Sequence, residues 1–462
     1  MTSICFYFQV HQPYRLRPYH FFDIGENVPY EDDEKNIQII KKVSEKCYIP
    51  ATNILLELIE KYNGKFKIAF SLSGVFIEQA KQHYPLVIDN FKKLAKTGCV
   101  EFLAETYYHS LSSLVSEEEF KAQVKLHTKL IEKEFNYTPA IFRNTELIFS
   151  NHIAWLAGEM GFKGMLLEGA DKILDWRNPN FVYKAKYAPN LKLLLKNYKL
   201  SDDIAFRFSE KSWKEYPLSS EKYAGWIHSV AGSGDVVNLF MDFETFGEHQ
   251  WEDSGIFNFL RALPENVFKH PDFEFLKVSE AIEKYPVVGD IDTHDPVSWA
   301  DIERDLSAWL GNNIQNEAFR GIYDLQQKVY DSDNKKLLEV FRRLQTSDHF
   351  YYMCTKYFND GDVHKYFNPF ESPYDAYIYY MNVLQDFRQK LDAKTKQINK
   401  SAKVSKTTKK STLKKTKSVK PKTSTGYKKS QFTTEIMVEN NIKSKGQASN
   451  ILNNKVEKVK KV

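Results

Sequence analysis

The chain has 462 residues, 42% of them hydrophobic and 27% charged, enough apolar material for a large core and too much length for one small domain. No uninterrupted apolar stretch reaches the roughly 18 residues of a membrane helix, no basic segment precedes the apolar run in Met1-Thr2-Ser3-Ile4-Cys5-Phe6, and the four cysteines contain no CxxC pair. A membrane span, a signal peptide, a disulfide scaffold and a thiolate zinc site are therefore not expected, and a reducing, cytoplasmic setting is. Aromatic residues make up 15%, which suits a ring-stacking pocket.

The net charge of +5 divides unevenly. Residues Ala393 to Val462 carry a balance of +17 and only two aromatics, Tyr427 and Phe432, while the preceding residues carry −12. A segment rich in Lys, Ser and Thr cannot bury enough apolar surface to offset its ordering entropy, so a disordered basic tail is expected from 393 to 462. It is read either as a solvated tail or as an arm making weak contact with polyanions.

In chain order, strands are predicted at Ser3 to Val10, Lys65 to Leu72, Cys99 to Thr106, Ala140 to Glu146, Gly164 to Glu168, Asp203 to Phe208 and Val236 to Glu244. Helical periodicity occupies Ala51 to Tyr62, Val75 to Ala95, Glu117 to Phe135 and Ile153 to Met160. Ser116 followed by three glutamates is a good helix start. Strands separated by helices imply parallel pairing, and seven of them over residues 1–285 imply a closed or nearly closed barrel. Beyond about Pro286 the strand signal fades. Helices are expected at Asp301 to Leu310, Asn316 to Asp331, Asn334 to Met353 and Tyr374 to Lys390, a helical region over 286–392 that covers the barrel.

In a parallel barrel the loops converge at the carboxyl ends of the strands. Those ends carry His11 and Gln12, His109, Glu146, and Asp242 with Glu244. Asp242 and Glu244 are two apart, so both face one side of a strand. A second negative charge close by raises the pKa of one of them, which is what a general acid at neutral pH requires. Paired carboxylates of this kind are the equipment of glycoside hydrolysis. Each residue also has a plainer reading. Glu146 could pair with Arg143, Asp242 and Glu244 could cap the following helix, and His11 could be a hydrogen-bonded core histidine.

These segments carry a family resemblance. His11-Gln12-Pro13, the run from Gly98 to His109, Phe142-Arg143-Asn144-Thr145-Glu146, Met241 to Gly247 and Trp299 to Asn312 resemble, in order, the five motifs of glycoside hydrolase family 57, the α-amylase-type enzymes, over residues 1–385. The resemblance implies a distorted (β/α)7 barrel, a retaining mechanism and an α-1,4-glucan oligosaccharide or polysaccharide as substrate, with no cofactor and no metal. It implies Glu146 as nucleophile and Asp242 as acid/base. His11, Gln12, His109, Glu244, Asp305 and Trp309 would bind the sugar. Many members have a glutamate where His109 stands. The family also holds 4-α-glucanotransferases and branching enzymes, which these motifs do not separate. A metal-dependent α-mannosidase- or deacetylase-type barrel is the more distant alternative. It needs His-x-Asp or His-xxx-His ligands, and no two of the twelve histidines are four apart.

Overall fold

The computed structural model describes residues 1–356 and 368–412, with side chains to 395. The chain divides into two units, Met1–Ala402 and Lys403–Val462. The first half runs β1 (Thr2–Val10), α1 (Asp33–Val43), a π-helical turn (Ser44–Tyr48), α2 (Ile49–Lys61), β2 (Ile68–Leu72), α3 (Gly74–His83), α4 (Pro85–Lys96), β3 (Val100–Phe102), α5 (Glu117–Phe135), β4 (Ile141–Arg143), α6 (Asn151–Glu159) and β5 (Gly164–Glu168). There follow α7 (Asp171–Leu174), β6 (Val182–Ala185), β7 (Ala188–Lys196), α8 (Tyr198–Ala205), α9 (Ser220–His228), β8 (Val236–Asp242), α10 (Ile256–Phe268), β9 (Phe273–Phe275), α11 (Val278–Lys284) and β10 (Val287–Ile291). The remainder is helical: α12 (Ser307–Leu310), α13 (Asn313–Tyr323), α14 (Gln326–Asp331), α15 (Lys335–Arg343), α16 (Ser347–Tyr351) and α17 (Pro373–Thr412).

Seven strands form the barrel in the order β1, β2, β3, β4, β5, β7, β8, all parallel. The ring is thin at two places. β3 meets β4 only through the bridge of Ala104 to Phe142. β7 meets β8 through Asn238, whose backbone oxygen accepts from Asn197 N at 2.9 Å and whose side chain donates to Leu195 O at 2.9 Å. This is a distorted (β/α)7 barrel. β6 and β10 extend the wall beside β7, and β9 pairs with the amino end of β1.

Helix starts follow local chemistry. The Ser116 hydroxyl accepts from Glu119 N and so caps α5, and Asn136 closes it in the left-handed region at φ 51°. The single helix expected over Val75 to Ala95 is two, because Pro85 lacks an N–H and drives Tyr84 to φ −148°, ψ 66°.

The strand expected at Asp203 to Phe208 is instead the end of α8 and the turn after it; α8 is capped by Asn197, whose side chain accepts from Leu200 N. The barrel strand in its place is β7, a leucine-rich segment without the β-branched residues that mark strands. The short strands β6, β9 and β10 are additions to the expected set, and β10 lies beyond the Pro286 boundary. α17 continues through Ala393, where the basic tail was expected to begin. The tail from residue 413 and the segment 357–367 lie outside the described residues.

The alternation along each strand sorts residues between two environments. Cys5, Tyr7, Ala69, Leu103, Ile141, Leu166, Leu194 and Phe240 form one cluster inside the barrel. Their neighbours on β1, β2, β3 and β8 (Phe6, Phe8, Phe70, Phe102 and Leu239 among them) pack outward against α1 to α4 and α10. Those on β4, β5 and β7 join a second outer cluster that runs through Phe319, Phe350, Tyr380 and Phe387, so the C-terminal helices share a core with the barrel wall.

Candidate active site

The same alternation ends every barrel strand on an inward polar side chain. In ring order these are Gln9, Ser71, Glu105, Arg143, Glu168, Lys196 and Asp242, each at the carboxyl end of its strand except Glu105, which stands three residues past β3. His11, Ser73, His109, Glu146 and Glu244 stand one turn further up, on the loops. The apolar interior cluster thus gives way to a charged floor beneath a polar rim, where active sites of parallel barrels lie.

Glu146 sits on a short turn after β4, in the left-handed region at φ 58°, ψ 24°, and Leu147 follows at φ 51°. The Ser347 hydroxyl donates to Oε1 at 2.8 Å, His109 Nε2 lies 3.4 Å from the same oxygen, and the Trp299 indole N–H donates to Oε2 at 2.8 Å. Burial works against its ionisation. His109, through a hydrogen bond and its charge, and Arg143 overcome that and hold Glu146 below the usual carboxylate range.

His109 is a bridge between two carboxylates. Its Nδ1 contacts Glu105 Oε2 at 2.8 Å and its Nε2 faces Glu146. Burial disfavours the imidazolium, but the two carboxylates prevail and hold His109 up at about 9. Glu105 is fully buried and accepts from Ser71 Oγ at 2.6 Å and Gln9 Nε2 at 3.2 Å. Against its burial, His109, His127 and Arg143 bring it down to about 2.

The other carboxylates behave oppositely. Burial, then the charge of Glu146, raises Asp242. Burial, then the charge of Asp242, raises Glu244. Both therefore stand above the usual carboxylate range. Tyr48 donates to Glu244 Oε1, and Gln12 Nε2 reaches it at 3.4 Å. Tyr48 ends the π-helical turn, a local bulge common at functional sites. Gly247 lets that turn approach: it holds φ +115°, and a Cβ there would lie 2.0 Å from Lys46 O.

Most of the residues singled out from sequence are therefore brought together: His11, Gln12, His109, Glu146, Asp242 and Glu244. Asp305 and Trp309 make no hydrogen bond to this group among the described residues. The Asp305 carboxylate accepts from the backbone N and hydroxyl of Ser307. Trp309 is buried in the second outer cluster, its ring 6.4 Å from Tyr351. Position by position, the cluster contains residues not singled out. Asp348 Oδ2 lies 2.8 Å from His11 Nε2, while Ser73 Oγ lies 2.7 Å from His11 Nδ1. Trp299, Ser347, Tyr48 and Glu105 complete the set. Trp299 and Glu105 lie inside quoted motifs. Ser347 and Asp348 begin α16 and come in because Ser347 N donates to His109 O at 2.9 Å, a contact across more than two hundred residues. Among the described residues no group of three or more His, Cys, Asp or Glu is arranged to hold a metal ion.

A parallel barrel with one carboxylate lowered and others raised at its strand ends is an arrangement that glycosidases use. The chain belongs to glycosyl hydrolase family 57, whose model matches residues 5–294. It is 44% identical over 400 residues, 83% of this chain and 84% of the relative, to a protein of Methanocaldococcus jannaschii named "Putative alpha-amylase". In fold it is similar to the GH57-type branching enzyme of Pyrococcus horikoshii (TM-score 0.59, 14% identity, 79% of this chain and 87% of that one). It is also similar to the 4-alpha-glucanotransferase of Thermococcus litoralis (TM-score 0.58, 15% identity, 76% of this chain), of which it spans 56%.

Proposed function

We propose that this protein is a retaining glycoside hydrolase that cleaves α-1,4-glucosidic bonds in starch- or glycogen-type glucans, an α-amylase in activity. Glu146 is the nucleophile and Asp242 the acid/base. The observation that carries this reading is the opposed acidity of the two groups. Glu146 has donors on both oxygens and a cationic histidine beside it, whereas burial and the charge of Glu146 raise Asp242 above the usual carboxylate range. In the first step Glu146 attacks the anomeric carbon, the glycosidic C–O bond breaks, and Asp242 gives its proton to the leaving oxygen. In the second, Asp242 takes a proton from water, the water oxygen bonds to the anomeric carbon, and Glu146 leaves as a carboxylate. His11, Gln12 and Glu244, with Asp348 beside His11, would hold the sugar ring. The 44% identity to the Methanocaldococcus jannaschii relative supports the substrate class.

The test is incubation with maltoheptaose, with products resolved by chain length and anomer. Shorter products with retained α configuration are expected. Longer products as well would mean a 4-α-glucanotransferase, and new branch points a branching enzyme. No turnover of any α-glucan would overturn the reading.

A further inference from the structure

The nucleophile's second oxygen is held by a residue to which the reaction scheme gives no task. Trp299 lies on the irregular segment after β10. Val297 and Phe149 exchange two backbone hydrogen bonds of 2.9 Å, which brings that segment against the Glu146 turn. Trp299 N then donates to Glu146 O at 3.3 Å, and its indole N–H to Oε2 at 2.8 Å. A half-buried indole has one donor to satisfy and no other polar atom. Here that donor is directed at the carboxylate.

The ring is fixed from the barrel floor. The Arg143 guanidinium lies 4.8 Å from its centroid and the Lys196 ammonium 5.5 Å. Arg143 is fully buried, and none of its three side-chain nitrogens has a hydrogen-bond partner among the described residues, so the aromatic face is a principal contact for that cation. Lys196 is in turn paired with Asp202 at 3.0 Å and Glu168 at 3.5 Å. Arg304 donates to Trp299 O and to Asp202 Oδ2. Trp299 is therefore anchored through its backbone N, its backbone O and its ring before its N–H meets Glu146. Glu146 itself, on a two-residue left-handed turn, has no regular element to orient its side chain.

We propose that Trp299 is a positioning residue for Glu146: pinned by the Arg143 and Lys196 cations, its indole N–H fixes Oε2 and holds the carboxylate in its attacking orientation. The inference rests on Glu146 being the nucleophile. The charged and titratable groups around Glu146 are His109 and Glu105 after β3, Arg143 on β4, Asp242 on β8 and Asp348 on α16. None of them replaces the donor on Oε2.

Trp299→Phe keeps a ring against both cations and removes only the donor. Its kcat is expected to fall about 10²-fold, the scale of misplacing one reacting group, with KM within about twofold. The acid limb of kcat/KM should move to higher pH, because an ionised carboxylate has lost a hydrogen bond. Trp299→His, which restores an N–H, should recover part of both. Glu146→Gln is assayed alongside. Activity in Glu146→Gln would refute the nucleophile itself. An inactive Glu146→Gln beside a Trp299→Phe with wild-type kcat and acid limb would overturn the positioning role alone, as would equal kcat in the Phe and His variants. If the Phe variant melts below the assay temperature, Trp299→His is compared with wild type, and an acid limb shifted as far as in His109→Gln overturns the role.

Discussion

His11 and His109 stack face to face, ring centroids 4.0 Å apart and planes inclined by 20°, yet their surroundings drive them to opposite protonation states. Burial opposes charge on both. His109 has a carboxylate on each nitrogen and stays cationic to about 9. His11 faces that cation, and burial with the His109 charge keeps it below its ordinary value despite Asp348. One positive charge is thus placed beside Glu146, and the neighbouring ring remains a neutral hydrogen-bonding surface.

Replacing His109 by Gln should therefore act on Glu146. Loss of the cation raises the pKa of Glu146, so the acid limb of the kcat/KM profile should move to higher pH. Titrating kcat/KM against maltoheptaose checks this. An acid limb that stays in place would mean the His109 charge is not felt at Glu146.

The Glu105–His109 pair also predicts a stability window. Glu105 is lowered on folding, so its contribution is present above its unfolded value of 4.5 and is lost as pH falls toward about 2. His109 is raised, so its contribution is full below 6.5 and is lost as pH rises through about 9. The difference in Tm between wild type and Glu105→Gln should be largest between these unfolded values and shrink on either side. A difference independent of pH would show a packing effect instead.

Glu146→Gln and Asp242→Asn are nearly isosteric and should each reduce turnover by roughly 10² to 10⁴ or more while the fold survives. Near-normal activity in either variant, with circular dichroism unchanged, would remove that residue from the reaction.

Glu244→Gln should shift the alkaline limb. Glu244 and Asp242 are coupled and both raised. Without the Glu244 charge Asp242 gives up its proton more readily, and the alkaline limb of kcat/KM moves to lower pH. If it does not move, burial and Glu146 alone set the acidity of Asp242.

Between these two carboxylates, Phe243 points the other way, into rings of Phe8 and Phe70 whose centroids are each 5.1 Å from its own. Phe243→Ala should cost about 3–5 kcal/mol of stability, the usual range for emptying a buried aromatic site. Denaturant unfolding measures it. A loss below about 1 kcal/mol would mean the cluster closes over the gap.

Much of this was legible in sequence because it depends on local rules. Six of the seven barrel strands and the bounds of α5 follow from periodicity and capping. The rim residues follow from strand ends, although β8 stops at Asp242 and Glu244 stands on the 3-10 turn that follows, beyond the strand expected there. β7 was missed because a leucine-rich strand and a helix look alike over nine residues. Asp348, Ser347 and the role of Trp299 were out of reach for a different reason. Each meets its partner across 150 residues or more, and no local pattern records which distant loop folds over a barrel mouth.

The pairing of β1 has a consequence for how the chain is made. β1 precedes its partner β8 by more than two hundred residues and sits inside its sheet, Ser3 beside Val236 and Gln9 beside Asp242. At translation rates of about 5–20 residues per second, one edge of this almost wholly apolar segment waits roughly 10 to 50 seconds for its partner to be synthesised. An unmatched hydrophobic edge is a template for wrong pairing. Production of the protein should therefore depend on holding chaperones and on growth temperature more than its finished stability would suggest, and Asp242 arrives on the very strand that ends the exposure.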